Sequence, residues 1–179
     1  MLLNLNRSAG PSIRARATAP FHNATNRMGL AEWKKLVTAP VAATLKRRGF
    51  RKSGLIFTAA RNDVVLMVGL QSSQGSTKDQ LKITCNLGIW VEQFARRPKP
   101  DIWECRWHNR IGQYLPEPTD YWWICSSDES ASKAGHEIAT LLEDRGLPEM
   151  ESLASLPALE AMWSKLGSVD LPKIGDSAI

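Results

Sequence analysis

The run LKITCNLGIWV, residues 81–91, constrains the fold more than any other stretch of this chain. Leu81, Ile83, Cys85, Leu87, Ile89 and Val91 recur at every second position, and Lys82, Thr84, Asn86 and Trp90 fall between them. A period of two places alternate side chains on opposite sides of an extended backbone, so the segment is a strand with one apolar face and one largely polar face. Such a strand needs antiparallel neighbours, which tolerate one open face. Trp90 has two readings. It either stands on the polar side as a stacking platform, or it covers the sheet edge or packs beneath a loop.

The flanking sequence supplies the neighbours. GFRKSGLIFTAARND (49–63) reads as one strand ending in a turn at Asn62 and Asp63, VVLMVGLQSS (64–73) as a nearly continuous apolar strand, and QGSTKD (74–79) as a polar turn. RRPKPD (96–101) breaks the chain with two prolines. From Trp103 to Gly112 the period of two returns: Trp103, Cys105, Trp107 and Ile111 are expected inward, with Glu104, Arg106, His108 and Arg110 outward. QYLPEPTD (113–120) is a turn-rich connection, and YWWIC (121–125) begins a short strand that sends Trp122 or Trp123 into the core beside Trp107.

Helical periodicity brackets this sheet. Trp33, Leu36, Val37, Val41 and Leu45 share one helix face, Lys46, Arg47 and Arg48 suit its C-terminal dipole, and Gly49 is placed to cap it. Pro40 predicts a kink or a break into two helices. After Cys125, Ser126 and Glu129 have capping-box spacing, and Ala134, Ile138, Leu141, Leu142 and Arg145 form a stripe closed by Gly146 and Pro148. A last helix is expected over 149–166, with Leu153, Leu156, Leu159, Met162, Trp163 and Leu166 as its apolar side. The expectation is an α+β fold: an antiparallel four- to five-stranded meander with an N-terminal helix and two C-terminal helices packed on one face.

A single domain over 28–166 is expected, with 167–179 as a frayed tail. Residues 1–27 carry four arginines and no acidic side chain. They read as a disordered basic leader: a transit-like segment, a flexible arm, or sequence upstream of a natural start at Met28. Charge is strongly polarised, from eleven basic residues against Glu32 alone in 1–52 to four basic against ten acidic in 126–179. The formal total of +5 therefore does not imply a basic surface.

The order of these segments resembles a bacterial family called domain of unknown function 4304. The resemblance rests on Gly49–Phe50 after a basic helix end, Gln71, Asn86–Leu87–Gly88, Arg110–Ile111–Gly112, and Trp122–Trp123 following an acidic residue, and it covers about 30–145. It implies an α+β domain with an antiparallel sheet and no particular activity. Residues 1–27 have no counterpart in that pattern.

Few residues offer chemistry. Cys85, Cys105 and Cys125 lack metal-knuckle spacing and read as small buried hydrophobes, and their odd number favours a reducing, cytoplasmic setting. No cofactor, metal or membrane-spanning segment is expected, and no nucleotide-loop or hydrolase motif is present. The reading is a binding or interaction module in which Gln71, Asn86, Arg106, His108 and Arg110 line a polar sheet face for a protein or a small acidic ligand, since arginine suits carboxylates and phosphates. Nucleic-acid binding is one alternative. Catalysis with His108 as general base is another.

Overall fold

The computed structural model describes residues 29–97 and 99–166, so the expected leader (1–27) and tail (167–179) lie outside the described residues. Helix α1 spans Leu30–Arg47 without interruption and buries Trp33, Val37, Thr38, Val41, Thr44 and Leu45. Pro40 lies inside it and does not divide it, so the helix is not broken into two. The helix ends as the sequence demands. Gly49 has φ +80°, Phe50 N–H donates to Leu45 O at 3.0 Å and Gly49 N–H to Lys46 O at 3.1 Å, which is a Schellman closure.

The segment expected as one strand is a hairpin of β1 (Arg51–Ser53) and β2 (Ile56–Arg61), because Gly54 adopts φ +61° and reverses the chain. Asn62, at φ 45°, turns β2 into β3 (Val64–Ser72), which pairs with β4 (Leu81–Trp90) along eight residues. On the other edge of β4, β5 (Trp107–Arg110) covers residues 86–89 and β6 (Trp123–Cys125) covers 81–83, both antiparallel. Among the described residues the sheet thus has six strands. The last two lie end to end on one neighbour, joined by an excursion over 111–122. Thr84, in the gap between them, donates its hydroxyl to Tyr121 O at 2.9 Å.

The sheet and helical layer enclose one main core. Leu81, Ile83, Cys85, Leu87 and Ile89 of β4 are all fully buried there with Val37, Val41, Leu45, Ile138 and Leu142. Helix α2 (Asp128–Leu141) is capped by Ser127, not Ser126, and Ser130 takes the reciprocal position expected of Glu129. Its Oγ accepts from Ser127 N–H at 3.0 Å while Ser127 Oγ accepts from Ser130 N–H at 3.1 Å.

Gly146 does not stop the helix. The chain passes through a π turn over Leu142–Gly146 into α3 (Leu147–Ser152), where Pro148 stands in the first turn and so requires no lost bond. The glycine serves close approach: a Cβ at Gly146 would lie 3.0 Å from Leu87 Cδ1. The expected last helix is divided at 153–155, and α4 (Leu156–Leu166) begins where Asp63 accepts from Leu156 N–H at 3.1 Å.

Candidate functional site

The sheet face turned away from the helices is not the open polar surface its alternation suggests. Gly69 and Gly88 leave a hollow in it. A Cβ at Gly69 would stand 2.9 Å from Ile102 Cδ1, and one at Gly88 would stand 2.5 Å from Cys105 Sγ. The chain after β4 folds back to fill that hollow: Ile102 and Cys105 bury themselves with Met67 and Trp90 in a second, smaller cluster bordered by Ile56, Val65 and Ala95. Trp90 therefore packs beneath a loop.

This flap corrects the expectation for Trp103–Gly112. Ile102–Glu104 is a 3-10 turn, and the strand proper is limited to Trp107–Arg110. Asp101 caps the turn by accepting from Trp103 N–H at 3.0 Å, and the chain rejoins the sheet where Arg106 N–H donates to Ile89 O at 2.8 Å. Trp103, expected inward, is 63% exposed. Cys105 joins the second cluster, while Trp107, expected on the same face, belongs to the main core with Trp123.

Trp103 forms the ridge between two cavities. The larger, about 620 Å³, has Ile56, Met67, Pro100 and Ile102 as apolar walls and Arg97, Lys99 and Asp101 as polar ones. The smaller, about 240 Å³, is lined by Phe94, Arg96, Glu104, Cys105 and Arg106. Arg97 is paired with Asp101 at 3.3 Å and Glu104 at 3.5 Å. The side chains of Arg96 and Lys99 make no hydrogen bond or ion pair with other described residues.

The five candidate residues divide into three groups. Gln71, Asn86 and Arg110 are brought together: Asn86 Nδ2 donates to Gln71 Oε1 at 2.9 Å, and Arg110 Nε donates to Asn86 Oδ1 at 3.0 Å. Arg110 also pairs with Asp120 through Nη1 and lies 5.4 Å from the Trp122 ring centre, so its guanidinium is held on three sides. Arg106 belongs to the smaller cavity, donating to Phe94 O at 3.0 Å with its guanidinium 5.0 Å from that ring. His108 is alone: its Nε2 hydrogen-bonds Ile102 O, which as an acceptor fixes the proton on Nε2. Neither cavity is lined by His108.

A further polar chain on the helix side has no counterpart in the sequence reading. Asn109 Nδ2 donates to Tyr114 Oη at 3.1 Å, and Tyr114 donates to Glu149 Oε2 at 2.5 Å, tying the excursion to α3. Burial and the adjoining Glu149 carboxylate raise the Tyr114 phenol above its ordinary range. Burial likewise raises the Cys85 thiol, and with the charge of Asp101 it pushes Cys105 up to about 12. All three cysteines are free and buried. Among the described residues, no group of three or more His, Cys, Asp or Glu side chains could hold a metal ion, and no helix is long and apolar enough to cross a membrane.

No curated protein and no solved structure matches the chain. A family model does: residues 41–152 match the domain of unknown function (DUF4304). That match takes in β1 to β6 together with α2 and α3, which is more than half of the chain, and the protein therefore belongs to the DUF4304 family.

Proposed function

We propose that the protein is an interaction module that captures a partner protein through the flap, taking an apolar side chain into the larger cavity and the acidic residues beside it onto Lys99, Arg96 and Arg106. The observation that carries this reading is Trp103, a 63% exposed indole standing over an apolar cavity on a turn that its own hydrogen bonds fix. Aromatic residues presented rigidly beside a pocket are the usual anchors of protein interfaces. Arg96 and Lys99, whose side chains are unpaired among the described residues, favour carboxylates over a neutral partner.

Two features favour binding over catalysis. His108 has its Nε2 engaged by a backbone carbonyl and lines neither cavity, and the thiols are protonated at neutral pH. Free, buried cysteines support a cytoplasmic site of action. Arg110 serves the module as a fixed corner, since Asn86 and Asp120 occupy its donors.

The test is selection from a random peptide library displayed on phage, with the full chain as bait. Enriched peptides should place an aromatic or large aliphatic residue beside Asp or Glu, and Trp103→Ala should weaken them by about tenfold or more, the cost of one lost anchor. Equal enrichment on the Trp103→Ala protein would sink the proposal. So would preferential, steeply salt-dependent binding of an oligothymidine strand, which would reassign Trp103 to base stacking.

A further inference from the structure

The smaller cavity beside Trp103 differs in chemistry from the larger one. Two guanidinium side chains, Arg96 and Arg106, line it together with Phe94, Glu104 and Cys105. The flap brings the two arginines to one place from opposite ends. Arg96 N–H donates to Glu104 Oε2 at 3.3 Å, and Arg106 N–H donates to Ile89 O at 2.8 Å where the chain rejoins the sheet. The Arg106 side chain is then oriented by Phe94, whose carbonyl accepts from Nη2 at 3.0 Å and whose ring centre lies 5.0 Å from the guanidinium carbon.

An exposed arginine is ordinarily solvated or paired with a carboxylate. Here the nearby carboxylates are already engaged, since Asp101 and Glu104 both pair with Arg97, at 3.3 and 3.5 Å. Among the described residues the Arg96 side chain has no partner, and Arg106 gives one N–H of its fork to Phe94 O and keeps the rest. From Phe94 to Arg106 the flap carries four cations (Arg96, Arg97, Lys99, Arg106) against two carboxylates (Asp101, Glu104), an excess of two positive charges. A carboxylate brings one charge and two oxygens, which a single planar fork satisfies. A phosphoryl group brings three acceptor oxygens and nearly two charges at neutral pH. It is the group that two forks and this excess fit, and the open volume of about 240 Å³ admits it beside the Phe94 ring.

We propose that the smaller cavity is a receptor for a phosphate monoester, carried by the partner as a phosphorylated side chain next to the apolar residue that enters the larger cavity. The source of the group rests on the reading of Trp103 as a partner anchor; the preference for the group itself rests on Arg96 and Arg106 alone. Asp or Glu in a displayed peptide is then the encoded stand-in for the phosphorylated residue. No covalent bond is made or broken, and recognition is by bidentate hydrogen bonds from the two guanidinium groups.

The test titrates the nitrogen-15-labelled full chain with phenyl phosphate, phenyl sulfate and benzoate at pH 7.5 and constant ionic strength, read on the arginine Nε–H resonances. The sulfate keeps the tetrahedral shape with one charge fewer, and benzoate is the carboxylate. Phenyl phosphate should saturate one site, shift the Arg96 and Arg106 signals, and bind about tenfold more tightly than either monoanion. Arg96→Ala and Arg106→Ala should each weaken it by about tenfold or more, and Arg106→Lys, which keeps the charge and loses the fork, should weaken it as well. The receptor does not exist if phenyl phosphate fails to saturate, if the monoanions bind as tightly, or if neither alanine variant alters its affinity; capture of carboxylate-bearing peptides through Trp103 would stand regardless. A second arm fixes the source. A blocked leucyl-phosphoserine peptide should bind more tightly than blocked phosphoserine alone, and Trp103→Ala should remove that gain. Equal binding of the two would overturn the partner-borne source and assign the cavity to a free phosphate ester.

Discussion

Replacing Gly88 by alanine tests whether the flap is seated by a missing side chain. The new methyl would lie 2.5 Å from Cys105 Sγ and 2.9 Å from Cys105 Cβ. The Sγ can swing away, but the Cβ is fixed to its backbone, so the segment around Cys105 must lift by a few tenths of an ångström to an ångström. Overpacking of this kind costs about 1–3 kcal/mol. Alanine in a strand recovers about 0.5–1 kcal/mol of backbone entropy. The net expectation is a loss of up to about 2.5 kcal/mol, a fall in Tm of up to roughly 10 °C for a domain of this size. Urea unfolding gives the first quantity. The rate at which Cys105 reacts with a thiol reagent gives the second readout and should rise, because lifting the flap exposes that residue, while Cys85 remains in the main core. Undiminished stability together with unchanged thiol reactivity would refute the seating argument.

Three further outcomes are expected. Stability should fall as pH rises above about 8.5, where thiols of the unfolded chain ionise while Cys85 and Cys105, raised by burial, stay protonated in the folded state; urea unfolding at pH 7.5 and 10 should show the fall, and Cys105→Ala should reduce it. Gly49→Ala places a side chain at φ +80° and should cost about 1–2 kcal/mol, read as a lower urea midpoint with unchanged slope. Arg110→Lys removes the planar fork that engages Asn86 and Asp120 over Trp122; a loss of about 1–2 kcal/mol is expected, and an unaltered melting curve would show that this corner is incidental.

The sheet was legible where one period ran unbroken. The β4 pattern put six side chains on the correct face, and the basic helix end before Gly49 announced its own closure. Trp103 misled because a 3-10 turn can imitate alternation for a few residues; the local cue was Asp101, a capping residue two positions before the indole. Trp90 was resolvable only through tertiary packing, yet Gly69 and Gly88 inside strands already signalled that something approaches that face closely. Of the five candidate site residues, Arg110 on β5 lies directly opposite Asn86 on β4, and Gln71 on β3, opposite Thr84, reaches Asn86 diagonally, so the three meet. Asp120 completes that corner from an irregular stretch, where no periodicity exists to read.

The end-to-end arrangement of β5 and β6 on β4 has an evolutionary consequence. Each piece is anchored by its own ties to the helical layer, β5 through Asn109, Tyr114 and Glu149 and β6 through Trp123 Nε1 donating to Glu137 at 2.9 Å. The stretch around Pro116 to Pro118 can therefore lengthen, shorten or be exchanged while both halves keep their partners, which makes it the natural place for relatives to diverge and for a foreign sequence to be grafted.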